Sequence, residues 1–378
     1  MAMVSPKFRV PDPTFWRGRR VLLTGHTGFK GSWLALWLSE LGADLWGLAL
    51  PPEPGPNLFQ QLHLQDRINH HIGDVRDATV VQTIVEQFQP EVVLHLAAQP
   101  LVRRSYSDPL VTWETNVNGT LHVLEALRSL QQSCSAVMIT TDKVYRNNEW
   151  LYGYRENDPL GGHDPYSSSK AAAEIAIASW RSSFCGPLPH QTPHLRIASA
   201  RAGNVIGGGD WAADRILPDA MRSLAAGEPI AVRNPDATRP WQHVLEPLGG
   251  YLLLAERLTQ GNVALAAAFN FGPHLEANRS VRALVEESLL HWPGQWNDHS
   301  DATSPHEASL LHLVIDKAHH ELGWSPRWDF ATTVERTVSW YREVHEGRTS
   351  ALDCCLADLS CFEKSMTTST QSAVLTES

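Results

Sequence analysis

The sequence predicts an α/β protein built on a doubly wound parallel sheet, followed by a smaller lobe of mixed structure. Short apolar segments, typical of strands that are covered on both faces, alternate with stretches that suit helices. A glycine-rich turn at residues 25–31 follows the first of these strands and opens a helix, as in a Rossmann fold. The alternation ends after Gly203, where glycine-rich loops, proline turns and tryptophans take over.

The predicted elements alternate regularly through the first half of the chain. Strands are expected at residues 21–23, 44–50, 71–74, 92–96, 136–140 and 195–200. Helices are expected at residues 33–38, 80–88, 109–130 and 167–182. This order predicts a dinucleotide-binding core over residues 15–203 and a mainly substrate-binding lobe over residues 204–348. Residues 349–378 are rich in Ser, Thr and Cys without periodicity, which predicts a disordered tail.

The composition is that of an ordinary globular chain, with 43% hydrophobic and 19% charged residues. A net charge of −10 without a basic block argues against nucleic acid as a partner. No charged start leads into an apolar run, and no apolar run approaches roughly 18 residues, so we expect neither a signal peptide nor a membrane span. The five cysteines form no CxxC pair, which predicts free thiols in the reducing cytoplasm.

The glycine turn predicts a site for the pyrophosphate of a dinucleotide. The first glycine allows the tight turn, the second lets backbone approach the phosphates, and the third permits close packing of the helix. The candidate residues of this turn are Gly25, His26, Thr27, Gly28, Phe29, Lys30 and Gly31. The second strand ends in Leu48-Ala49-Leu50-Pro51-Pro52, without an acid for a ribose hydroxyl or an arginine for a 2′-phosphate. The residues therefore leave NAD and NADP open.

Further cofactor contacts are expected where the third and fourth strands end. These candidates are Asp74, Val75, Leu96, Ala97 and Ala98. The Asp74 carboxylate is suited to accept from an adenine amino group, and a turn or a helix cap is its alternative role.

Tyr166 and Lys170 stand four residues apart and share one face of a predicted helix. An ammonium favours a nearby phenolate, so this tyrosine is expected to exchange a proton near neutral pH. Thr141, Asp142 and Lys143 follow the strand at 136–140, at the sheet edge where doubly wound folds bind ligands. A capping role for Asp142 and a surface position for Lys143 are the alternatives. Together these residues predict hydride transfer between a dinucleotide and an alcohol.

Several of these motifs resemble the extended short-chain dehydrogenases/reductases, and among them the nucleotide-sugar 4,6-dehydratases that act on CDP-sugars. The matching segments, within residues 15–345, are Gly25 to Leu34, His95 to Arg103, Thr141 to Tyr145, Ala200 to Trp211 and Arg239 to Val244. The resemblance implies that NAD is the cofactor and that CDP-glucose becomes CDP-4-keto-6-deoxyglucose. It also implies a role in deoxysugar biosynthesis for the lipopolysaccharide O-antigen.

The resemblance implies an internal redox cycle with a named role for each catalytic residue. Tyr166 takes the proton of the C4 hydroxyl as hydride passes to NAD⁺, Thr141 binds the C4 oxygen, and Lys170 holds the nicotinamide ribose. A base then removes the C5 proton, water leaves from C6 with Asp142 as general acid, and hydride returns to C6. Relatives that act on dTDP-glucose carry a glutamate where Lys143 stands, so Lys143 is either the base or a charge that stabilises the enolate.

Substrate contacts are expected from Gln99, Asn204, Arg215 and Arg239. A diphosphate favours arginine forks, and the resemblance implies that Arg239 binds the nucleotide end. Trp211 and Trp241 either stack on cytosine or pack within the protein. Arg201 is expected to form a structural ion pair, and His95 to lie in the core. The histidines show no metal-ligand spacing, so no metal is predicted. The resemblance implies a homodimer or homotetramer through the helices that carry residues 116–120 and Tyr166.

Two other functions remain open on the sequence. Without an acid and a base at Asp142 and Lys143, the same Tyr166–Lys170 pair would serve a nucleotide-sugar 4-epimerase or a reductase. A dinucleotide-binding regulator without catalysis is the third possibility, and the Tyr166–Lys170 pair argues against it.

Overall fold

The computed structural model describes residues 10–188, 191–300 and 310–372. Its strands are β1 (Arg20–Thr24), β2 (Asp44–Ala49), β3 (Asn69–Ile72), β4 (Val92–His95), β5 (Cys134–Ile139), β6 (Leu195–Ala202), β7 (Val205–Ile206), β8 (Ile230–Val232), β9 (Thr238–Pro240), β10 (Gln242–His243), β11 (Ala268–Phe271), β12 (Asn278–Ser280) and β13 (Trp296–Asp298). Its helices are α1 (Pro13–Trp16), α2 (Phe29–Glu40), α3 (Leu58–Gln61), α4 (Ala78–Phe88), α5 (Val102–Ser107), α6 (Pro109–Trp113), α7 (Gly119–Arg128), α8 (Pro165–Phe184), α9 (Ile216–Ala225), α10 (Leu245–Thr259), α11 (Val281–His291), α12 (Phe330–His345) and α13 (Ala351–Ser372).

The central sheet has seven parallel strands in the order β11-β6-β5-β4-β1-β2-β3. The predicted doubly wound sheet is therefore confirmed. The strand order reverses between β1 and β4, which is where open α/β sheets form a crevice for ligands. The glycine turn between β1 and α2 lies at this switch point.

The second lobe is built from small sheets and helices, as expected. Among the described residues it contains three two-stranded sheets, β10-β7, β12-β9 and β13-β8. The domain limits 15–203 and 204–348 remain predictions. Strand β11 lies in the second segment of the chain but pairs with β6 in the central sheet. In the described part of the chain, no helix is long and apolar enough to cross a membrane.

The helix predicted over residues 109–130 is interrupted. A π-helical turn, Glu114–Asn118, separates α6 from α7. There the buried Asn116 side chain donates to Ser169 Oγ at 2.8 Å and accepts from the backbone N–H of Gln99 at 2.9 Å. The widened turn thus lets one amide join two elements that border the site.

The prediction of a disordered tail is wrong for residues 351–372, where α13 forms a long helix, and residues 373–378 lie outside the described residues. Cys355, Leu359 and Phe362 are buried and lie on one face of this helix. The Phe362 ring packs edge-on against Trp37 at 5.9 Å between centroids, and Trp37 donates to Glu363 at 2.9 Å. The prediction relied on the composition of the tail and overlooked apolar residues that recur at helical spacing.

Candidate active site

A cleft of about 2250 Å³ lies along the carboxyl ends of the central strands and is closed on the other side by the second lobe. This volume exceeds that of a typical pocket for one small ligand, roughly 300–1,000 Å³. Every predicted site residue except His26 lines the cleft. The structure therefore brings the glycine turn, the Thr141 segment, the start of α8 and the second-lobe residues around one space.

Two glycines of the turn leave no room for a side chain, and the third faces open space. Gly25 has φ +77°, and a Cβ there would lie 2.7 Å from the backbone nitrogen of Ala97. A Cβ on Gly31 would lie 2.0 Å from the carbonyl oxygen of Gly25. At Gly28, which caps α2 without a side-chain hydrogen bond, a Cβ would meet nothing nearer than 3.5 Å. The open space at the N-terminus of α2 fits the pyrophosphate of a dinucleotide.

The His26 side chain faces away from this space. Its Nε2 lies 2.7 Å from Nδ1 of His70 in β3, and its backbone oxygen accepts from Ser32. Burial, together with the neighbouring His70, lowers the pKa of His26 to about 3. The imidazole is therefore neutral and is part of the support beneath the turn.

The far end of the cofactor side is marked by Asp74, which lines the cleft with Val75, Leu96, Ala97 and Ala98. The Asp74 carboxylate accepts from the Arg76 guanidinium at 2.6 Å and from the Arg76 backbone at 2.9 Å. These hydrogen bonds lower the pKa of Asp74, which therefore stays ionised as an acceptor. The turn role and the adenine role remain compatible with this geometry.

Thr141, Asp142 and Lys143 occupy a short 3₁₀ turn directly after β5. The Thr141 hydroxyl donates to the Asp142 carboxylate at 3.0 Å, and Asp142 is only 2% exposed. The Lys143 ammonium lies 3.5 Å from the same carboxylate oxygen and 3.2 Å from Oδ1 of Asn204. An ion pair of Lys143 and Asp142 therefore lies in the cleft wall, and Asn204 of the second lobe binds the same lysine.

Tyr166 is placed by the start of α8. Pro165 is the first helical residue, and Asp164 and Ser167 form a reciprocal capping box around it. Burial raises the pKa of Tyr166 to about 12, while a hydrogen bond with Thr141 opposes that rise. The expectation of a tyrosine that exchanges its proton near neutral pH is therefore not met in the free protein, because burial outweighs the stabilising contacts.

Lys170 follows one turn later and is 5% exposed. Its ammonium donates to the carbonyl oxygen of Ile139, the last residue of β5, at 3.3 Å. Burial lowers the pKa of Lys170 to about 8, and the Glu174 carboxylate opposes that change. The charge of Lys170 is therefore sensitive to what surrounds it.

The predicted substrate residues differ in what they bind. Arg215 forms an ion pair with Asp210 at 2.7 Å, and Arg239 donates to the carbonyl oxygen of Thr238 at 2.8 Å. The Gln99 amide donates to Thr112 Oγ1 at 2.9 Å and accepts from the backbone of Leu101. Gln99 therefore shapes the loop before α5, and its role toward a substrate stays a prediction.

The aromatic and core residues expected from the sequence are also located. Trp211 donates to Gln61 at 3.1 Å and Trp241 donates to the carbonyl oxygen of Arg279 at 3.0 Å, so both are held by packing although both line the cleft. His95 is buried beside Thr24, with 2.8 Å between Nδ1 and Oγ1. Arg201 forms the expected buried ion pair, with Glu174 at 2.7 Å.

Sequence reasoning placed Lys30 in the glycine turn but missed its contact with α10, and it missed the ion pairs of Asp214. Lys30 lies 3.5 Å from the hydroxyl of Tyr251 in α10, and burial together with Arg215 lowers its pKa to about 7. At the mouth, Asp214 accepts from Arg103 at 3.1 Å and from Arg233 at 2.9 Å. No local pattern predicts these contacts, because their partners stand far apart in the chain.

The model for the GDP-mannose 4,6 dehydratase family matches residues 22–337. The chain belongs to this family. It is also 45% identical over 357 residues to the CDP-glucose 4,6-dehydratase of Salmonella typhimurium, covering 94% of this chain and 99% of that protein. The dTDP-glucose 4,6-dehydratase of Haemophilus influenzae is 25% identical and covers 85% of this chain and 97% of its own.

The fold is also similar to that of solved protein structures. A dTDP-glucose 4,6-dehydratase from Streptomyces venezuelae, solved with NAD and TYD bound, has a TM-score of 0.73 at 24% identity. It covers 87% of this chain and 98% of that one. The family match and the relative of 45% identity confirm the resemblance to nucleotide-sugar 4,6-dehydratases that the motifs predicted.

Proposed function

We propose that this chain converts CDP-glucose to CDP-4-keto-6-deoxyglucose and water. The observation that carries the proposal is the pairing of the buried Asp142 with the partly exposed Lys143 at the end of β5, in the same cleft as Tyr166 and Lys170. An epimerase or a reductase needs the tyrosine and the lysine of α8 but has no use for this additional acid and base. The CDP-glucose 4,6-dehydratase that is 45% identical supports the choice of substrate.

The residues present fit NAD as the cofactor. The glycine turn would hold the pyrophosphate over Gly28, Lys170 would donate to the nicotinamide ribose, and Asp74 would accept from the adenine. When bound, NAD⁺ would accept hydride from C4 of the sugar and return it to C6. The choice of NAD over NADP is supported by the solved dehydratase that contains NAD.

The first half of the reaction belongs to Tyr166 and Thr141. Thr141 would turn its single hydroxyl proton from Asp142 toward the C4 oxygen of the sugar. In the free protein a hydrogen bond with Thr141 lowers the pKa of Tyr166. Tyr166 would take the proton of the C4 hydroxyl as the C4–H bond breaks.

The elimination belongs to Lys143 and Asp142. A base must be neutral and an acid must be protonated, and one proton passing across the 3.5 Å between Lys143 Nζ and Asp142 Oδ1 supplies both forms. Lys143 would then remove the C5 proton, and Asp142 would give its proton to the C6 hydroxyl as it leaves as water.

The test is incubation of the purified protein with CDP-glucose and NAD⁺, followed by mass spectrometry. We expect a product lighter by one water, without accumulation of NADH. The Lys143→Met variant should not form it, whereas Lys364→Met, which replaces a lysine of α13, should retain full activity. A product of unchanged mass with a new configuration at C4 would instead establish an epimerase. A Tyr166→Phe variant that keeps its full biological effect would favour a regulator.

We also propose that the chain assembles as a homodimer or homotetramer through α6, α7 and α8. Large apolar side chains are exposed on two of these helices, Leu110 at 76% and Trp113 at 41% on α6 and Ile175 at 61% on α8. Light scattering should give a multiple of the chain mass, and Ile175→Asp should shift it toward the monomer. The cytoplasm as the site of reaction and the O-antigen as its destination are proposed on the resemblance alone.

A further inference from the structure

A buried cluster of polar side chains lies directly behind the predicted catalytic residues. Glu174, in α8, accepts from the Thr140 hydroxyl at 2.6 Å with one carboxylate oxygen. The other oxygen accepts from Ser199 at 2.9 Å and from the Arg201 guanidinium at 2.7 Å. The side chains of Glu174 and Arg201 are 3% and 5% exposed. We call Thr140, Glu174, Ser199 and Arg201 the Glu174 cluster.

The Glu174 cluster is fixed from behind. Arg201 also donates to the Tyr145 hydroxyl at 2.8 Å and to the carbonyl oxygen of Glu156 at 2.9 Å. Tyr145 in turn donates to Oδ1 of Asn270 at 2.7 Å. Hydrogen bonds from β6, β11 and the loop after β5 therefore hold the Glu174 carboxylate in one position.

The cluster meets the catalytic residues at the end of β5. Lys170 and Glu174 stand one helical turn apart on α8 and bind successive residues of the strand, the carbonyl oxygen of Ile139 and the hydroxyl of Thr140. Thr141 is the next residue. The position of the Thr141 segment relative to α8 thus depends on this pair of side chains.

We propose that Glu174 is a positioning residue for the reaction, which fixes the end of β5 against α8 and places a buried carboxylate one helical turn from Lys170. The assignment rests on the proposed function. A role confined to pairing with Arg201 would explain one of the three hydrogen bonds and leaves the contact with Thr140 without a purpose.

The groups that face Lys170 make its charge depend on Glu174. His95 faces it from β4 and is neutral, since burial lowers its pKa to about 3. Lys30 faces it from α2 and repels its charge. Glu174, on the same helix, opposes the effect of burial on the pKa of Lys170. Removal of the carboxylate should therefore deprotonate Lys170 at a lower pH.

The test is the pH dependence of kcat/KM in Glu174→Gln. Because Lys170 must carry its proton, kcat/KM falls on the alkaline side. Loss of the Glu174 carboxylate should move this alkaline limb to lower pH by about one unit, so that kcat/KM above the limb falls about tenfold. The double variant Glu174→Gln with Arg201→Gln removes both charges and leaves no buried arginine unpaired. It should fold, as judged by its melting temperature, and its limb should shift in the same direction but by less, because the positive charge of Arg201 is also gone. Glu174→Asp, which retains the charge, should keep the limb of the natural protein at a reduced kcat.

A second measurement separates this proposal from the proposed function. The affinity for NAD⁺ should fall on the alkaline side in titration calorimetry, and in Glu174→Gln it should fall about one unit earlier. If both glutamine variants keep the natural limb in both measurements, Glu174 is only a structural partner of Arg201 and the proposal is wrong. If the natural protein binds NAD⁺ but removes no water from CDP-glucose, the proposed function fails while the binding profile still decides the role of Glu174.

Discussion

The cofactor side and the substrate side of the cleft are built in different ways. The cofactor side depends on backbone, with Gly25, Gly28 and Gly31 setting how closely α2, the turn and a ligand approach each other. The substrate side depends on charged side chains, such as Arg215 on Asp210 and Lys143 on Asp142. A ligand site formed by tightly packed backbone tolerates almost no added side-chain atom. A site formed by charged side chains can lose one of them while the others stay in place.

Gly31→Ala should have the largest effect, because its Cβ would lie 2.0 Å from the carbonyl oxygen of Gly25 and backbone must move. We expect no detectable NAD⁺ binding by calorimetry and a clearly lower melting temperature. Gly28→Ala is the matched control, since its Cβ has room on the protein side. It should fold normally and lose affinity only for the dinucleotide. Equal stability of the two variants would contradict a turn closed at Gly31.

Asp142→Asn and Lys143→Met should each lower kcat by about 10²–10⁴, the usual contribution of a general acid or base. NAD⁺ affinity should stay within a few-fold, because both residues act on the sugar. Since Tyr166 and Lys170 remain, these variants should still oxidise C4 and accumulate NADH, seen by its absorbance. Loss of NAD⁺ binding in either variant would contradict the assignment of these residues to the substrate side of the cleft.

Phe362→Ala should show that the cofactor side is also supported from the C-terminus. The Phe362 ring is 1% exposed and packs on Trp37 of α2, so its removal should cost about 3–5 kcal/mol in the free energy of unfolding. Urea denaturation measures this loss. Leu151→Ala, at an 85% exposed position, is the control and should change little. A stable Phe362→Ala protein would mean that α13 does not brace α2.

Asp214→Asn should have the smallest effect. Its carboxylate lies between Arg103 and Arg233 at the cleft mouth, and all three side chains are about half exposed. Exposed ion pairs contribute roughly 0–1 kcal/mol, so stability should hardly change. The KM for CDP-glucose should change by a few-fold at low salt, and this difference should vanish at high ionic strength. A salt-independent change would indicate a direct contact with substrate.

The difference between a site built from local backbone and one built from side chains far apart in the chain also explains what the sequence could predict. The glycine turn and the pair on α8 are local patterns, so Gly25, Gly31, Tyr166 and Lys170 could all be assigned from spacing. The Glu174 cluster could not, because Thr140, Ser199 and Arg201 meet Glu174 only through the strand order of the sheet. The proton affinity of Tyr166 was misjudged for a related reason, since burial is a property of the fold.

The tail shows a different kind of error. Composition was used where periodicity carried the signal, since Cys355, Leu359 and Phe362 form one face of a helix within a polar segment. Its partners Trp37 and Trp328 come from distant parts of the chain, so the segment has a core to cover only after folding.

The pairing of β11 with β6 has a consequence for how the chain is made. During synthesis β6 leaves the ribosome before its outer neighbour, because β11 begins only at Ala268. Until then β6 is an unprotected strand edge, open to pairing with another nascent chain. Fragments cut near residue 203 should therefore aggregate, and separate expression of the two halves should succeed only when the cut leaves β11 with the first.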